Sequence, residues 1–212
     1  MHAGTVTDPH DRYPRGYFDR ADPTDDARFY APPRMVTHID DAAVSAVGDL
    51  YAELGVDGDV LDLMGSWVSH FHDPPRRLVV LGMNAAELEA NPRAAGTLVH
   101  DLNADPRVPL VDAAVDDVVC CVSIDYLVRP FDVVADVARV LRPAGRLVVT
   151  FSNRCFPTKA IAGWLHGDDA AHVAYVTDLL TTGGFRQVTH ERRDDPSVGG
   201  DPLHAVWGRT AS

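Results

Sequence analysis

Short runs of apolar, often β-branched residues recur along this chain, and segments with helical periodicity lie between them. The runs are Val60–Met64 and Arg77–Gly82, followed by residues 97–100, 117–123 and 147–151. Runs that are apolar on both faces are typical of parallel strands covered by helices on both sides of a sheet. Their alternation with helices predicts an α/β fold with a doubly wound, mostly parallel sheet and right-handed crossovers.

Three segments before, between and after these runs carry apolar residues at helical spacing. Asp40 or Asp41 is expected to cap the first helix, and Gly55 suits its end. Pro130 favours the start of the second, whose apolar stripe extends to Leu141 before the turn sequence "RPAGR". Asp168 is expected to cap the third helix. These signals set the ends of three helices, which in a doubly wound fold cover both sides of the sheet.

The two ends of the chain differ from its middle. With 212 residues, the chain has the length of one ordinary domain. Residues 1–28 are rich in Asp, Pro, Gly and Arg without apolar periodicity, which predicts a loose or folded-back arm ahead of a single domain at 29–212. Residues 186–191 and 203–209 flank a turn-rich segment and predict an antiparallel pair of strands.

Charge and hydropathy exclude several classes of protein. The net charge is −12, and the chain has a single lysine and no dense basic cluster, which argues against nucleic acid and favours small molecules as partners. No apolar run approaches the roughly 20 residues that span a bilayer. The N-terminus lacks the apolar core of a signal peptide, so we expect a cytoplasmic protein.

Metal and disulfide chemistry are also disfavoured. The three cysteines form no C-x-x-C motif, and two of them are adjacent within an apolar run. His70 and His72 lie two residues apart without a third ligand at suitable spacing, so no metal site is predicted.

Two motifs resemble a known superfamily. "VARVLRPAGRLVVTFSNR", residues 137–154, resembles the helix, turn and fifth strand of small-molecule, type 11-like members of the class I S-adenosylmethionine-dependent methyltransferases. "DDVVCCVSIDYL", residues 116–127, resembles their fourth strand and the following loop. The resemblance implies a seven-stranded, Rossmann-like sheet that ends in an antiparallel hairpin. It also implies S-adenosylmethionine as cofactor and methyl transfer to O, N or S of a small-molecule acceptor.

The loop after the first strand, "DLMGSWVSH", departs from the superfamily pattern. That pattern has an acidic residue followed by three alternating glycines, whereas here the glycine positions hold Met64, Ser66 and Val68. The resemblance implies that the cofactor contacts five residues of this loop: Asp62, Met64, Gly65, Ser66 and Trp67.

The resemblance extends to the tips of the next strands. Asn84 takes the position of an acidic residue that binds the ribose hydroxyls in the superfamily, and it brings an amide without charge. Asp101 matches the residue that meets the adenine edge, and Leu102 is expected to cover its face. Cys121 and Val122 match the strand tip that passes beneath the cofactor.

Catalytic and substrate-binding candidates follow the fourth and fifth strands and precede the first helix. Asp125 and Tyr126 offer a carboxylate and a phenol that could orient an acceptor and take its proton. In the structural alternative, Asp125 caps a turn and Tyr126 packs under the next helix. The substrate-binding candidates are Tyr30, His38, Asn153 and Arg154.

Two alternatives to methyl transfer remain open because the first motif is altered. One is a methyltransferase-like enzyme with different chemistry, and the other is a non-catalytic binding or partner protein on the same fold. No G-x-G-x-x-G follows a strand, which argues against a nicotinamide dehydrogenase. A monomer or homodimer is expected.

Overall fold

A computed structural model describes residues 8–197 and 199–212, which form a seven-stranded sheet flanked by helices. The strand order is β3-β2-β1-β4-β5-β7-β6. The strands are β1 (Asp59–Leu63), β2 (Arg77–Gly82), β3 (Gly96–Val99), β4 (Val115–Cys121), β5 (Leu141–Phe151), β6 (Arg186–Arg192) and β7 (His204–Arg209). The helices are α1 (Asp26–Tyr30), α2 (Asp41–Leu54), α3 (Ala85–Glu89), α4 (Pro130–Val140), α5 (Ala162–Leu165) and α6 (Asp169–Thr182).

Strands β1 to β5 are parallel, and only β7 runs antiparallel to its neighbours β5 and β6. Asp62 pairs with Val80 of β2 and with Val119 of β4, so β1 lies at the centre of the parallel part. The predicted doubly wound sheet with its C-terminal antiparallel hairpin is confirmed.

The two faces of the sheet carry separate hydrophobic clusters because successive strand residues point to opposite sides. Val60 packs against α2 residues such as Val47 and Leu50, whereas Leu61 packs in the cluster of α4 and α6. Each of these four aliphatic side chains is at most 1% exposed. The three predicted helices therefore cover both faces, and Asp40, Pro130 and Asp168 stand at their starts as expected.

The junction of α4 and β5 differs from the prediction. Leu141 was assigned to the helical stripe, but α4 ends at Val140 and Leu141 pairs with Val115 of β4. The sequence "RPAGR" is therefore an irregular part of the strand and not a separate turn, since the pairing with β4 shifts register between Val115 and Asp117. Ala144 accommodates the irregularity with a positive φ of 60°.

The N-terminal arm lies against the domain over residues 8–28, while residues 1–7 fall outside the described part. The rings of Tyr13, Tyr17 and Phe18 pack on the α4–α6 side, and Tyr13 donates a hydrogen bond to Asp178 (2.8 Å). Arg20 forms an isolated antiparallel bridge with Ile161. This is the folded-back form of the predicted arm, and the domain boundary at residue 28 stays a prediction.

The carboxyl ends of β1, β2, β3 and β4 meet at one edge of the sheet, where doubly wound folds bind ligands. Between β1 and β2 the chain has no room for a crossover helix, because Pro74 and Pro75 interrupt it, and Phe71 packs instead on Tyr51 of α2 (ring centroids 4.7 Å apart). None of the described helices is long and apolar enough to cross a membrane.

Candidate active site

A pocket opens at the carboxyl ends of the parallel strands and is roofed by the segment before α2. It collects thirteen of the sixteen residues predicted for the site: Tyr30, His38, Asp62, Met64, Gly65, Ser66, Trp67, Asn84, Asp101, Leu102, Cys121, Val122 and Tyr126. Asp125, Asn153 and Arg154 are not among the described residues that line it.

The loop after β1 lies directly on β2. Gly65 donates a backbone hydrogen bond to Leu81 O (2.8 Å), and a Cβ at Gly82 would collide with the carbonyl oxygen of Gly65. A Cβ at Gly65 would in turn meet Asp62 and Val80. The remaining glycine of the loop therefore serves close packing of two backbones, which explains why it is kept while its neighbours are larger.

Backbone strain is concentrated at the floor of the pocket. Met64, at the tip of β1, has a φ of 57°, and Val122, at the tip of the adjacent β4, has a φ of 45°. Positive φ is uncommon outside glycine, and for a β-branched residue it is a real outlier that surrounding structure must hold in place. Val122 is held by a hydrogen bond from its N–H to Thr150 O (2.8 Å). Such strain often accompanies ligand-binding sites.

Asp62 is buried at the end of β1 within a small polar network. Its carboxylate accepts a hydrogen bond from the Ser69 hydroxyl, which itself accepts one from Asn91 Nδ2 (3.0 Å). Burial raises the pKa of Asp62 to about 7, and the bond from Ser69 opposes that rise. Asn91 also donates to Ser66 O (2.9 Å), so this network fixes the shape of the altered loop.

The tip of β3 offers a site for a flat, polar group. Asp101 Oδ1 accepts hydrogen bonds from Asn103 N (2.9 Å) and Ala104 N (3.3 Å). Among the described residues, none donates a hydrogen bond to its Oδ2. Leu102 beside it is 3% exposed. An acceptor next to an apolar wall is suited to the edge and face of an adenine ring.

Two pocket residues carry polar atoms without a partner. Among the described residues, neither Tyr51 Oη nor His70 Nδ1 has a hydrogen-bond partner, although both atoms are buried. Burial raises the pKa of Tyr51 and lowers that of His70 below its usual value. Buried polar groups are rarely left unpaired, so His70 Nδ1 is available to a ligand. The Tyr51 hydroxyl lies near the hydroxyl of Thr150, which opposes the rise of its pKa. The pocket thus offers an acceptor beside an apolar wall at one end and a buried polar atom without a partner at the other.

Sequence reasoning missed Tyr51, His70 and Phe156 as pocket residues. Tyr51 was assigned to the apolar stripe of the first helix, and its hydroxyl, which an apolar stripe does not need, was the available signal. His70 was considered only as a metal ligand. In the described part of the chain, no three His, Cys, Asp or Glu residues are grouped as metal ligands. Phe156 carried no signal in the sequence.

Asp125 and Tyr126 lie on different sides of the pocket wall. The Tyr126 ring lines the pocket, and its oxygen accepts a hydrogen bond from Phe156 N (2.9 Å). Asp125 is 2% exposed, and its Oδ2 finds no partner among the described residues. Burial raises the pKa of Asp125 to about 8, so this carboxyl is largely protonated at neutral pH. The catalytic roles of both residues stay predictions.

The polar residues after β5 are engaged elsewhere. Arg154 donates to Asp201 (2.6 Å), and Asn153 is exposed. The nearby Lys159 is fully buried by the arm, where it pairs with Asp22 (3.1 Å) and Asp26 (3.0 Å). Substrate contacts by Asn153 and Arg154 stay predictions.

Comparison with known proteins agrees with this architecture. A family model described as a methyltransferase domain matches residues 65–149, which run from the altered loop into β5. The chain is similar to S-adenosylmethionine-dependent methyltransferases over this matched segment and in its fold. The match to the methyltransferase-domain model supports S-adenosylmethionine as the cofactor. No curated protein matches the chain at the level of sequence.

Solved structures share the fold of this chain at low sequence identity. The Haloferax volcanii complex between the Trm112 methyltransferase activator and a methyltransferase gives 14% identity and a TM-score of 0.60, covering 81% of this chain and 91% of that one. A Burkholderia thailandensis 1,6-didemethyltoxoflavin-N1-methyltransferase with bound S-adenosylhomocysteine is 15% identical with a TM-score of 0.59. The match covers 81% of this chain and 80% of that one. The [4+2]-cyclase SpnF is 14% identical with a TM-score of 0.57, and the match covers 85% of this chain and 89% of that one.

Proposed function

We propose that this protein transfers the methyl group of S-adenosylmethionine to O, N or S of a small-molecule acceptor. The observation that carries the proposal is the pocket at the carboxyl ends of β1 to β4. Its floor is formed largely by the segment that the methyltransferase-domain model matches, and buried polar atoms without a partner lie beside it. Asp101 and Leu102 would hold the adenine end. Tyr51 and His70 would meet the amino-acid end that three glycines hold in the wider superfamily.

The reaction asks little of the protein beyond alignment and removal of a proton. Once bound, the sulfonium supplies an electrophilic methyl group. Tyr30 and Arg34 line the pocket from the segment before α2. A proton acceptor has to be unprotonated at neutral pH, and this favours the imidazoles of His38 and His70, whose pKa values burial lowers, over Asp125.

A second function is favoured by the altered loop. Met64, Ser66 and Val68 change the cofactor contacts, and SpnF shows that a cyclase can adopt this fold. A methyltransferase-like enzyme with other chemistry, or a non-catalytic binding protein, would keep the pocket without transferring methyl groups. A small-molecule partner, a cytoplasmic location and a monomeric or homodimeric state stay predictions from the sequence.

Calorimetry and thermal shift with S-adenosylmethionine, S-adenosylhomocysteine and NAD test the proposal, followed by assays of labelled methyl transfer to hydroxyl, amine and thiol acceptors. A ligand at about 100 times its dissociation constant should stabilise the fold by roughly 2.7 kcal/mol. If neither S-adenosylmethionine nor S-adenosylhomocysteine binds at millimolar concentration, the cofactor assignment is rejected. Binding without transfer to any acceptor would favour the second function.

The matched variants Asp101→Asn and Asp105→Asn locate the bound nucleoside. Both aspartates accept backbone hydrogen bonds in the loop after β3, but only Asp101 lines the pocket. An amide keeps the turn and replaces the free oxygen of Asp101 by a donor. Loss of one such contact costs about 1 to 3 kcal/mol, so Asp101→Asn should weaken binding by about tenfold or more. Asp105→Asn should leave binding unchanged.

A further inference from the structure

The side chain of Asn84, at the tip of β2, is saturated by contacts within the protein. Its Oδ1 accepts hydrogen bonds from Ala86 N (3.0 Å) and Glu87 N (3.1 Å) and so caps α3. Its Nδ2 donates to Tyr30 O (2.8 Å) and Ala31 O (3.0 Å). An amide offers two donor hydrogens and one acceptor oxygen with two lone pairs, so no capacity remains for a ribose diol.

The segment that Asn84 holds, residues 26–38, is called the roof segment below. Glu87 binds it a second time by accepting a hydrogen bond from Arg34 N (2.6 Å), and its other oxygen accepts one from the Ser66 hydroxyl (2.7 Å). Trp67 Nε1 donates to Val36 O (3.1 Å). The roof segment is thus tied to the altered loop and to the start of α3.

The start of the roof segment is tied to the nucleoside end of the pocket. Asn103 Nδ2 donates to Asp26 (2.9 Å) and to Tyr126 O (2.9 Å). Asp26, Tyr30 and His38 all face the pocket from above. The residues that stand in place of the superfamily's cofactor motif therefore bind a part of this chain.

We propose that Asn84 is a positioning residue, which anchors the roof segment over the cofactor pocket and does not bind the ribose. This inference rests on the proposed function. Only an amide satisfies the geometry, because an aspartate could still cap α3 but would place an unprotonated carboxylate against the carbonyl oxygens of Tyr30 and Ala31. Asparagine is therefore required at this position, and it is not a weakened form of the superfamily's acidic residue.

The variant Asn84→Asp separates this role from a ribose contact. It restores the superfamily's acid and keeps a good cap for α3, since Asp and Asn cap helices about equally well. Anchoring predicts a looser roof segment and weaker binding of S-adenosylhomocysteine, by about tenfold or more. A ribose contact predicts the reverse, namely tighter binding.

The first readout needs no ligand. Trypsin cleavage after Arg28 and Arg34, and hydrogen exchange across residues 26–38, should be faster in Asn84→Asp than in the native protein. Gln187→Glu, which makes the same change of charge at an exposed position of β6, should leave both unchanged. A second variant covers the case that Asn84→Asp does not fold. Trp67→Phe removes the hydrogen bond to Val36 O, and it should also accelerate cleavage of the roof segment.

The outcomes separate the anchor from the cofactor assignment. Faster cleavage together with weaker binding supports the proposal. Unchanged cleavage overturns the anchoring role of Asn84, and faster cleavage with equal or tighter binding overturns the link between the roof segment and the cofactor. If the native protein binds no sulfur nucleoside, the proposed function fails, and faster cleavage still establishes the anchor.

Discussion

Single buried carboxyl groups illustrate what residue type alone leaves undecided. A carboxylate after the fourth strand was a reasonable catalytic candidate, but Asp125 lies behind the pocket wall, where burial raises its pKa to about 8. Asp62 is similar, with a pKa of about 7. The sequence identifies both as acids next to buried strands. Whether a given carboxyl faces the pocket or the core depends on the turn that carries it.

The raised pKa of Asp125 predicts that the contribution of this group to stability falls with rising pH. Below pH 4, Asp125 is protonated in both the folded and the unfolded chain, whereas between pH 4 and 8 only the folded chain keeps the proton. The folded state then binds more protons, and its free energy of unfolding falls by up to about 1.4 kcal/mol per pH unit from this group. Asp125→Asn should remove that part of the slope.

Urea unfolding at pH 5, 6, 7 and 8 measures the effect as the difference between the native protein and Asp125→Asn. The variant should gain stability relative to the native protein as the pH rises. Asp132→Asn changes a half-buried aspartate in the first turn of α4 and should leave the profile unchanged. A constant difference between native protein and Asp125→Asn across this range would contradict the raised pKa.

Helix ends are the elements that local sequence predicts best, because a cap and its first turn are neighbours in the chain. Asp40 accepts a hydrogen bond from Ala43 N (2.8 Å) at the start of α2, as its position predicted. It also accepts one from Asp201 N (2.7 Å), a residue 161 positions away that periodicity could not indicate. The end of α4 at Val140 was missed because Leu141 suits a helix and a strand equally well.

Asp40→Ala should lower the free energy of unfolding by about 1 to 2 kcal/mol, since it removes an N-cap and leaves the N–H of Asp201 unpaired in the described structure. Asp41→Ala, one residue later and exposed, should change it by less than about 0.5 kcal/mol. Urea denaturation of both variants at one pH measures the difference. Equal effects would mean that Asp40 acts by its charge near the helix start and not as a cap.

At the scale of the whole molecule, the N-terminal arm completes the domain that the strands and helices begin. Lys159, the single lysine of the chain, is fully buried because residues 22–26 supply two carboxylates and the carbonyl oxygen of Thr24 (2.8 Å) around its ammonium group. A buried charge is tolerated only when it is paired in this way. The arm is therefore a structural part of the fold over its described residues.

Lys159 should resist amine-reactive reagents as long as the arm stays in place. Peptide mass spectrometry after brief labelling of the native protein should find Lys159 unmodified, whereas labelling in guanidinium should modify it fully. Asp22→Asn removes one carboxylate and should raise the native labelling rate. Rapid modification of Lys159 in the native protein would show that the arm does not bury it in solution.

By itself, the sequence determined the sheet, its hairpin and the caps of the main helices, because the periodicity of apolar residues and the chemistry of caps act over a few positions of the chain. It also predicted most of the pocket, since the carboxyl ends of parallel strands meet at one edge. Only the tertiary structure decided that Asp125 lies outside the pocket, that Tyr51 and His70 keep unpaired atoms, and that Asn84 holds the roof segment. Hydrogen bonds between residues more than fifty positions apart depend on how loops cross the finished sheet, and no local pattern encodes that crossing.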